Sequence, residues 1–346
     1  MKKFILTAVS LLIGGIILGV AVSTSGLKNI LQIVHSLRWL WLLGVPVFFS
    51  VVFILDAWRW EIVLKYSGYR TTFGRLIVAK LAGFAICYIT PIMYVGGEGA
   101  QGYILKKEAN VPLVKGLSTI IVDKAVESLM VLIFFIICGC LMLWRLSNPI
   151  YVGLAGFLIA GSIVALLVFF WQIHRGRKFF VALLDWFHLD KIDFIARRKH
   201  RVEVLEDDIY NFFRTHKKAL WKTLGISVLS TIAYILLFIC VLQALNYQIN
   251  LALIMILRGL AIFVSLIPVP AALGIYEGSF GFAFSGIGLD PSAGVAFSLI
   301  MRTLYILWSA LGIAYISHFG IKLFYTSNDN GHQSESLSGP SSQKHV

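Results

Sequence analysis

The chain has 346 residues, of which 58% are apolar and 14% charged, with a net charge of +13 and a mean hydropathy of +0.84. An ordinary soluble domain is about half apolar even with Gly counted in, so a soluble enzyme, a secreted disulfide scaffold and a disordered chain are excluded. The basic excess would suit nucleic acid only if Lys and Arg clustered with stacking aromatics on a water-soluble domain; their placement decides what it means.

Crossing a hydrocarbon core of about 30 Å takes about 20 apolar residues in a helix. Charge-free stretches approaching that length cover 4–23, 39–55, 130–144, 150–171, 224–245 and 303–321, and two more apolar regions, near 76–95 and 251–285, are interrupted. An all-α, polytopic membrane protein is predicted. The first stretch follows Lys2 and Lys3 and ends in Ala21-Val22-Ser23 like a signal peptide. It is longer than an h-region of about 7 to 15 residues, so an uncleaved anchor is expected.

Lys and Arg in connecting segments favour the cytoplasm. Residues 173–222 carry twelve of them, and two further basic connectors hold Lys65, Arg70, Arg75 and Lys80, then Lys106, Lys107 and Lys115. These last two would fall on opposite sides if residues 76–105 crossed once. A re-entrant hairpin with its tip at 89–97, where Pro91 and the pair Gly96-Gly97 interrupt a helix, removes the conflict. The other interrupted region, around 267–274, then acts as a hairpin from the outer side. The expected topology is about six full spans and two re-entrant hairpins, both termini in the cytoplasm, in the cytoplasmic (inner) membrane. It places 24 of 30 Lys and Arg inside, Arg59 and Lys80 among them.

Around the hairpins the sequence repeats. Glu98-Gly99-Ala100-Gln101-Gly102 and Glu277-Gly278-Ser279-Phe280-Gly281 both read E-G-x-x-G; Pro112 and Pro291 follow each Glu by 14 residues, and Asp123 and Arg302 follow each Pro by 11. One domain over 1–325 is expected, with repeat one at about 39–144, an amphipathic cytoplasmic segment at 173–218, repeat two at about 219–325 and a disordered tail at 326–346. Inverted repeats with discontinuous helices are the architecture of many secondary transporters, with the substrate near midplane.

Eleven helical residues advance about 16 Å, which sets Asp123 and Arg302 near mid-membrane, where an ion pair between them is one reading. Charges there are paired or functional, and such a pair serves either to lock the repeats or to handle a headgroup. Lys124 and Glu127 offer local pairing instead. Glu98 and Glu277 stand where each hairpin's second half-helix begins. Either each caps its own helix, or the two tips with their glycines form gates or a site for an anionic or zwitterionic head. The candidate binding and gating residues are therefore Glu98, Gly99, Gly102, Asp123, Lys124, Glu277, Gly278, Gly281 and Arg302.

Asp56, Arg59, Trp60 and Glu61 end the second apolar stretch and read as an interfacial anchor. Residues 175–216 interleave basic residues with Phe179, Phe180, Leu183, Leu184, Trp186, Phe187, Ile192, Phe194 and Ile195, the pattern of amphipathic helices on an anionic leaflet rather than of nucleic-acid binding. Cys87, Cys138, Cys140 and Cys240 lack metal or redox spacing, and the eight histidines form no metal-binding pair. No metal, cofactor or catalytic residue is expected.

The Gly96-Gly97-Glu98 segment with Asp123-Lys124 after it, together with Pro268, Pro270, Gly274, Glu277 and the lone Arg302, resembles the lysylphosphatidylglycerol synthase transmembrane-region family, also called flippase-like domain proteins. The similarity extends over most of residues 5–325. It implies a membrane domain that, in larger members, translocates aminoacylated phospholipid and is fused to a cytoplasmic aminoacyl transferase domain. Such a domain is not expected here, so lysyl transfer is not implied. The second tip, Pro268-Val269-Pro270-Ala271-Ala272, departs from a Gly-rich pattern, and no Gly follows Pro91 directly. The leading expectation is a lipid translocase with a membrane lipid, phospholipid or polyprenyl-type, as substrate. A non-transporting scaffold and an enzyme acting on a membrane lipid remain as alternatives, and the oligomeric state is open.

Overall fold

The protein was analysed as a computed structural model that describes residues 36–90, 96–145, 149–175, 199–248, 250–265, 267 and 269–336. The described residues form ten α-helices and no strand. In chain order they are α1 Trp39–Tyr66, α2 Phe73–Ile89, α3 Glu98–Ala109, α4 Leu113–Arg145, α5 Pro149–Arg175, α6 Lys199–Thr215, α7 Lys217–Ala244, α8 Leu251–Ser265, α9 Ile275–Gly286 and α10 Pro291–Ser336. Five contain segments long and apolar enough to cross a membrane: Trp39–Tyr66, Leu113–Trp144, Ala155–Ile173, Lys217–Ala244 and Pro291–His318. This is a polytopic helical membrane protein. The expected span at 4–23 and the first tip's residues 91–95 lie outside the described residues.

Local chemistry sets several helix starts. Asn250 accepts hydrogen bonds from the N–H groups of Ala252 (3.0 Å) and Leu253 (3.4 Å) ahead of α8. Asp290 accepts from Ser292 N–H at 2.9 Å with Pro291 as the first residue of α10; an Asx cap followed by Pro satisfies one orphan donor and removes another. Asn110, left-handed at φ 53°, closes α3 just before Pro112. Helix α10 continues to Ser336, past residue 326 where the sequence sets the start of a disordered tail; its polar composition offers no physical reason for that continuation.

Helices α1–α4 and α7–α10 pack in matching ways. Spans α1 and α7 lie against each other, α2 folds back on α3, and α8 on α9. The arm α2 packs on the far span α10, the arm α8 on the far span α4, while α3 and α9 pack on the spans that follow them. Aromatic rings join the sets: Phe49 of α1 meets Phe84 of α2 (centroids 6.0 Å) and Tyr305 of α10 (5.5 Å). Helix α6 docks on α4, with Phe212 and Phe213 buried, so this part of the amphipathic segment spends its aromatic face on protein. The apolar residues 179–195 lie outside the described residues.

Close backbone approach fixes α3 on α2 and α10 on α9. A Cβ on Gly97 would stand 2.1 Å from the Gly83 carbonyl oxygen, and one on Gly294 would stand 2.3 Å from that of Phe280. Small residues at membrane helix contacts permit this. Gly102 packs on Leu113 and Leu117, and Gly281 on Val295 and the Pro291 carbonyl, which accounts for the last glycine of each E-G-x-x-G. Around Gly99 nothing lies within 4 Å. Gly97→Ala and Gly294→Ala are therefore expected to cost about 1–3 kcal/mol or more through overpacking, whereas Gly99→Ala leaves the melting temperature of the purified protein unchanged.

Candidate functional site

The ionic centre is Arg59, whose residue is 1% exposed. Its Nε donates to Asp123 Oδ1 at 2.7 Å, Nη1 to Asp56 Oδ1 at 3.0 Å and Ser227 Oγ at 3.4 Å, and Nη2 to Glu127 Oε2 at 3.2 Å and Asp123 Oδ2 at 3.4 Å. Lys80 Nζ adds a 2.5 Å bond to Asp123 Oδ2, and Ser230 Oγ donates to Asp56 at 3.1 Å. Two cations thus face three carboxylates. The interfacial-anchor reading of residues 56–61 is corrected here: α1 runs on to Tyr66, so Arg59 and Trp60 fall on its packed face, and Trp60 Nε1 donates to Thr119 at 3.2 Å.

The Asp123–Arg302 pairing is also corrected. Asp123 is held by Arg59 and Lys80, while Arg302 Nε pairs with Glu277 Oε1. Lys124 does not pair with Glu127, its neighbour one turn on, but with Glu98, and Glu127 turns to Arg59. Equal spacing from Pro112 and Pro291 suggested the pairing, but the facing of each helix gives the two residues different partners.

The two E-G-x-x-G segments share one chemistry. Glu98 Oε2 accepts from Gly96 N–H at 2.7 Å, and Glu277 Oε2 from Gly274 N–H at 2.8 Å, each capping its own helix. The other oxygen of each pairs with a cation on the following span, Lys124 or Arg302. Glu277 is fully buried, and Gly278 N–H bonds the Gly274 carbonyl at 2.8 Å as part of the first turn. Before Glu277, Ala271 (φ 53°) and Ala272 (φ 46°) occupy left-handed backbone, which costs an L-residue about 1–2 kcal/mol. These are the positions where the sequence departs from a Gly-rich tip, and Ala271→Gly is expected to raise the melting temperature.

Between these groups lies a cavity of about 170 Å³. From the first set, Asp56 (α1), Lys80 (α2), Gln101 (α3) and Glu127 (α4) line it; from the second, Tyr234 (α7), Arg258 (α8), Tyr276 (α9) and Tyr305 (α10). A smaller pocket of about 30 Å³ shares Asp56, Glu127 and Arg258 with it. Across α8 lies an apolar groove of about 340 Å³, walled by Phe135, Phe157, Ile256, Phe263 and Phe282. Among the predicted residues, Lys124 lines the cavity; Glu98 and Asp123 pair with its lining residues Lys124 and Lys80, and Glu277, Arg302, Gly99, Gly102, Gly278 and Gly281 are not part of it. Sequence reasoning missed Asp56, Arg59, Lys80, Glu127, Tyr234 and Arg258 as members of the site. The available signal was i,i+3 spacing of Asp56 and Arg59 on an uninterrupted helical run.

These features define an integral membrane protein of about eight core helices packed around a charged, partly open cavity. The pattern of the family described as "Lysylphosphatidylglycerol synthase TM region" matches residues 7–312, and the chain belongs to that family. It is similar to the UPF0104 membrane protein MJ1595 of Methanocaldococcus jannaschii, 22% identical over 310 residues that cover 86% of this chain and 89% of that one. No solved structure matches.

Breaking a buried ion pair by removing one partner costs about 3–5 kcal/mol. Arg59→Ala, which takes the ion-pair partner from Asp56 and Glu127 and leaves Asp123 with Lys80 alone, is expected to destabilise by at least that much. Arg59→Lys rescues little, because an ammonium cannot reproduce the five-donor fork. Thermal unfolding followed by tryptophan fluorescence in detergent checks both.

Proposed function

We propose that this protein moves a phospholipid or polyprenyl-type amphiphile across the cytoplasmic membrane, with its two helix sets working as inverted repeats around a midplane site. The observation that carries this reading is the cavity touched by all eight core helices, with charges within and an apolar groove across one helix. An amphiphile needs both environments, and ligand sites of transporters built from repeats lie at the repeat interface. The family's description attaches its membrane region to a lipid synthase, which agrees with a lipid ligand. In the same reading the interrupted pairs α2–α3 and α8–α9 are re-entrant hairpins, Glu98–Lys124 and Glu277–Arg302 hold their inner ends, and both termini face the cytoplasm with residues 175–216 against its anionic leaflet.

Purified protein reconstituted into vesicles, with labelled lipid in the inner leaflet and a membrane-impermeant quencher outside, tests the proposal. Labelled phospholipid is expected to reach the outer leaflet about ten-fold faster than in empty vesicles, an effect of ~1.4 kcal/mol on the barrier. Glu277→Gln and Arg302→Ala are expected to remove most of that gain while eluting as monodisperse protein. No acceleration for any lipid class would leave the scaffold reading in its place.

A further inference from the structure

The charges in the central cavity do not all cancel by contact. Arg59 and Lys80 are shared among Asp56, Asp123 and Glu127, which leaves a surplus of one negative charge on that wall. Asp56 Oδ2 and Glu127 Oε1 have no hydrogen-bond partner among the described residues, and the Glu127 side chain is 38% exposed. Arg258, on α8, lines the same cavity and shares the smaller pocket with Asp56 and Glu127. Its guanidinium lies over the Tyr234 ring, 3.7 Å from the centroid, and it forms no ion pair with a carboxylate among the described residues. An arginine inside a membrane domain without a carboxylate is costly, and its planar fork is suited to two oxygens of a phosphate.

We infer that the cavity is a receptor for a zwitterionic aminophospholipid headgroup, the phosphate received by Arg258 and the primary ammonium by Asp56 and Glu127. This rests on the proposed lipid ligand and names its class. An ammonium N–H donates to the free oxygens of Asp56 and Glu127, which a trimethylammonium lacking N–H cannot do. A glycerol headgroup brings no cation to the surplus carboxylate. Three carboxylates against Arg59, Lys80 and Arg258 sum to zero, so a headgroup of zero net charge leaves the interior neutral, and one with more ammonium than phosphate does not. The apolar face of α8, formed by Ile256, Leu260 and Phe263, turns to the groove while Arg258 turns to the cavity. The assignment of the phosphate to a lipid rather than to a soluble phosphoester rests on the proposed lipid ligand.

Native mass spectrometry of the full chain in detergent, titrated separately with phosphatidylethanolamine, phosphatidylcholine and phosphatidylglycerol of the same acyl chains, reads this directly. Phosphatidylethanolamine is expected to bind about ten-fold tighter than phosphatidylglycerol, the scale of one charge-assisted hydrogen bond, with phosphatidylcholine weaker than phosphatidylethanolamine. Arg258→Gln is expected to weaken all three by about ten-fold or more, with Arg258→Lys keeping part of the affinity. Glu127→Gln brings phosphatidylethanolamine level with phosphatidylglycerol. Soluble glycerophosphoethanolamine is expected to bind far more weakly than the lipid, and equal binding would overturn the assignment to a lipid. Equal affinity for the three lipids, or unchanged affinities in Arg258→Gln, would overturn the headgroup assignment. Headgroup-blind binding with transport in vesicles removes this inference and spares the translocase; selective binding without transport does the reverse.

Discussion

The interior of this protein depends on the bonds of one guanidinium. Arg59 ties Asp56 on its own helix to Asp123 and Glu127 on α4 and touches Ser227 on α7, while Lys80 brings α2 to the same carboxylate cluster. A guanidinium taken out of water is tolerated only when its donors find partners, so the packing angles of four helices must be those that satisfy this one side chain. Shape then follows. The helices cannot close completely on the cluster, because Asp56 and Glu127 each turn one oxygen outward, and the space left there is the cavity.

The paired E-G-x-x-G segments solve a related problem. A helix that begins in an apolar interior exposes four N–H groups with no water to receive them. A glutamate in the first turn returns to the backbone just before it, but its own charge then requires a cation. The chain supplies one on the next span in each half, Lys124 at 26 residues from Glu98 and Arg302 at 25 from Glu277. The final glycine lets that span approach. Cap, cation and close contact act as one unit, which is why the same residues recur together.

Much of the fold was legible because apolar length and the registers of Glu, Gly and Pro are local properties. The four described charge-free stretches that lie within single long helices, and the two interrupted regions, were found where the structure has helices and breaks. The ion pairs were not legible. Spacing along a helix gives depth, but partner choice depends on which way each helix faces, and that is set by contacts such as Gly97 on Gly83. Asp123 and Arg302, matched in sequence register, have different neighbours for that reason. Arg59 was missed by the opposite error: a rule that counts basic residues near span ends read a charge at the end of an apolar run as an end, when α1 continues for another eleven residues beyond Leu55.

Helix α8 carries the two environments that a lipid ligand would need. Its 15 residues reach ~22 Å at about 1.5 Å each, short of a core of about 30 Å, so it does not span alone. Its faces divide a charged cavity from an apolar groove. An amphiphile passing along it would exchange water for Arg258 and the free carboxylate oxygens at one end of its structure, and lipid for Phe263 and Ile256 at the other. The cost of moving a headgroup through a membrane is mostly the loss of its hydration. In the proposed reading, a wall that replaces those hydrogen bonds, in a layer whose own charges sum to zero only when Arg258 is counted, would lower that cost most for a headgroup that is itself neutral overall.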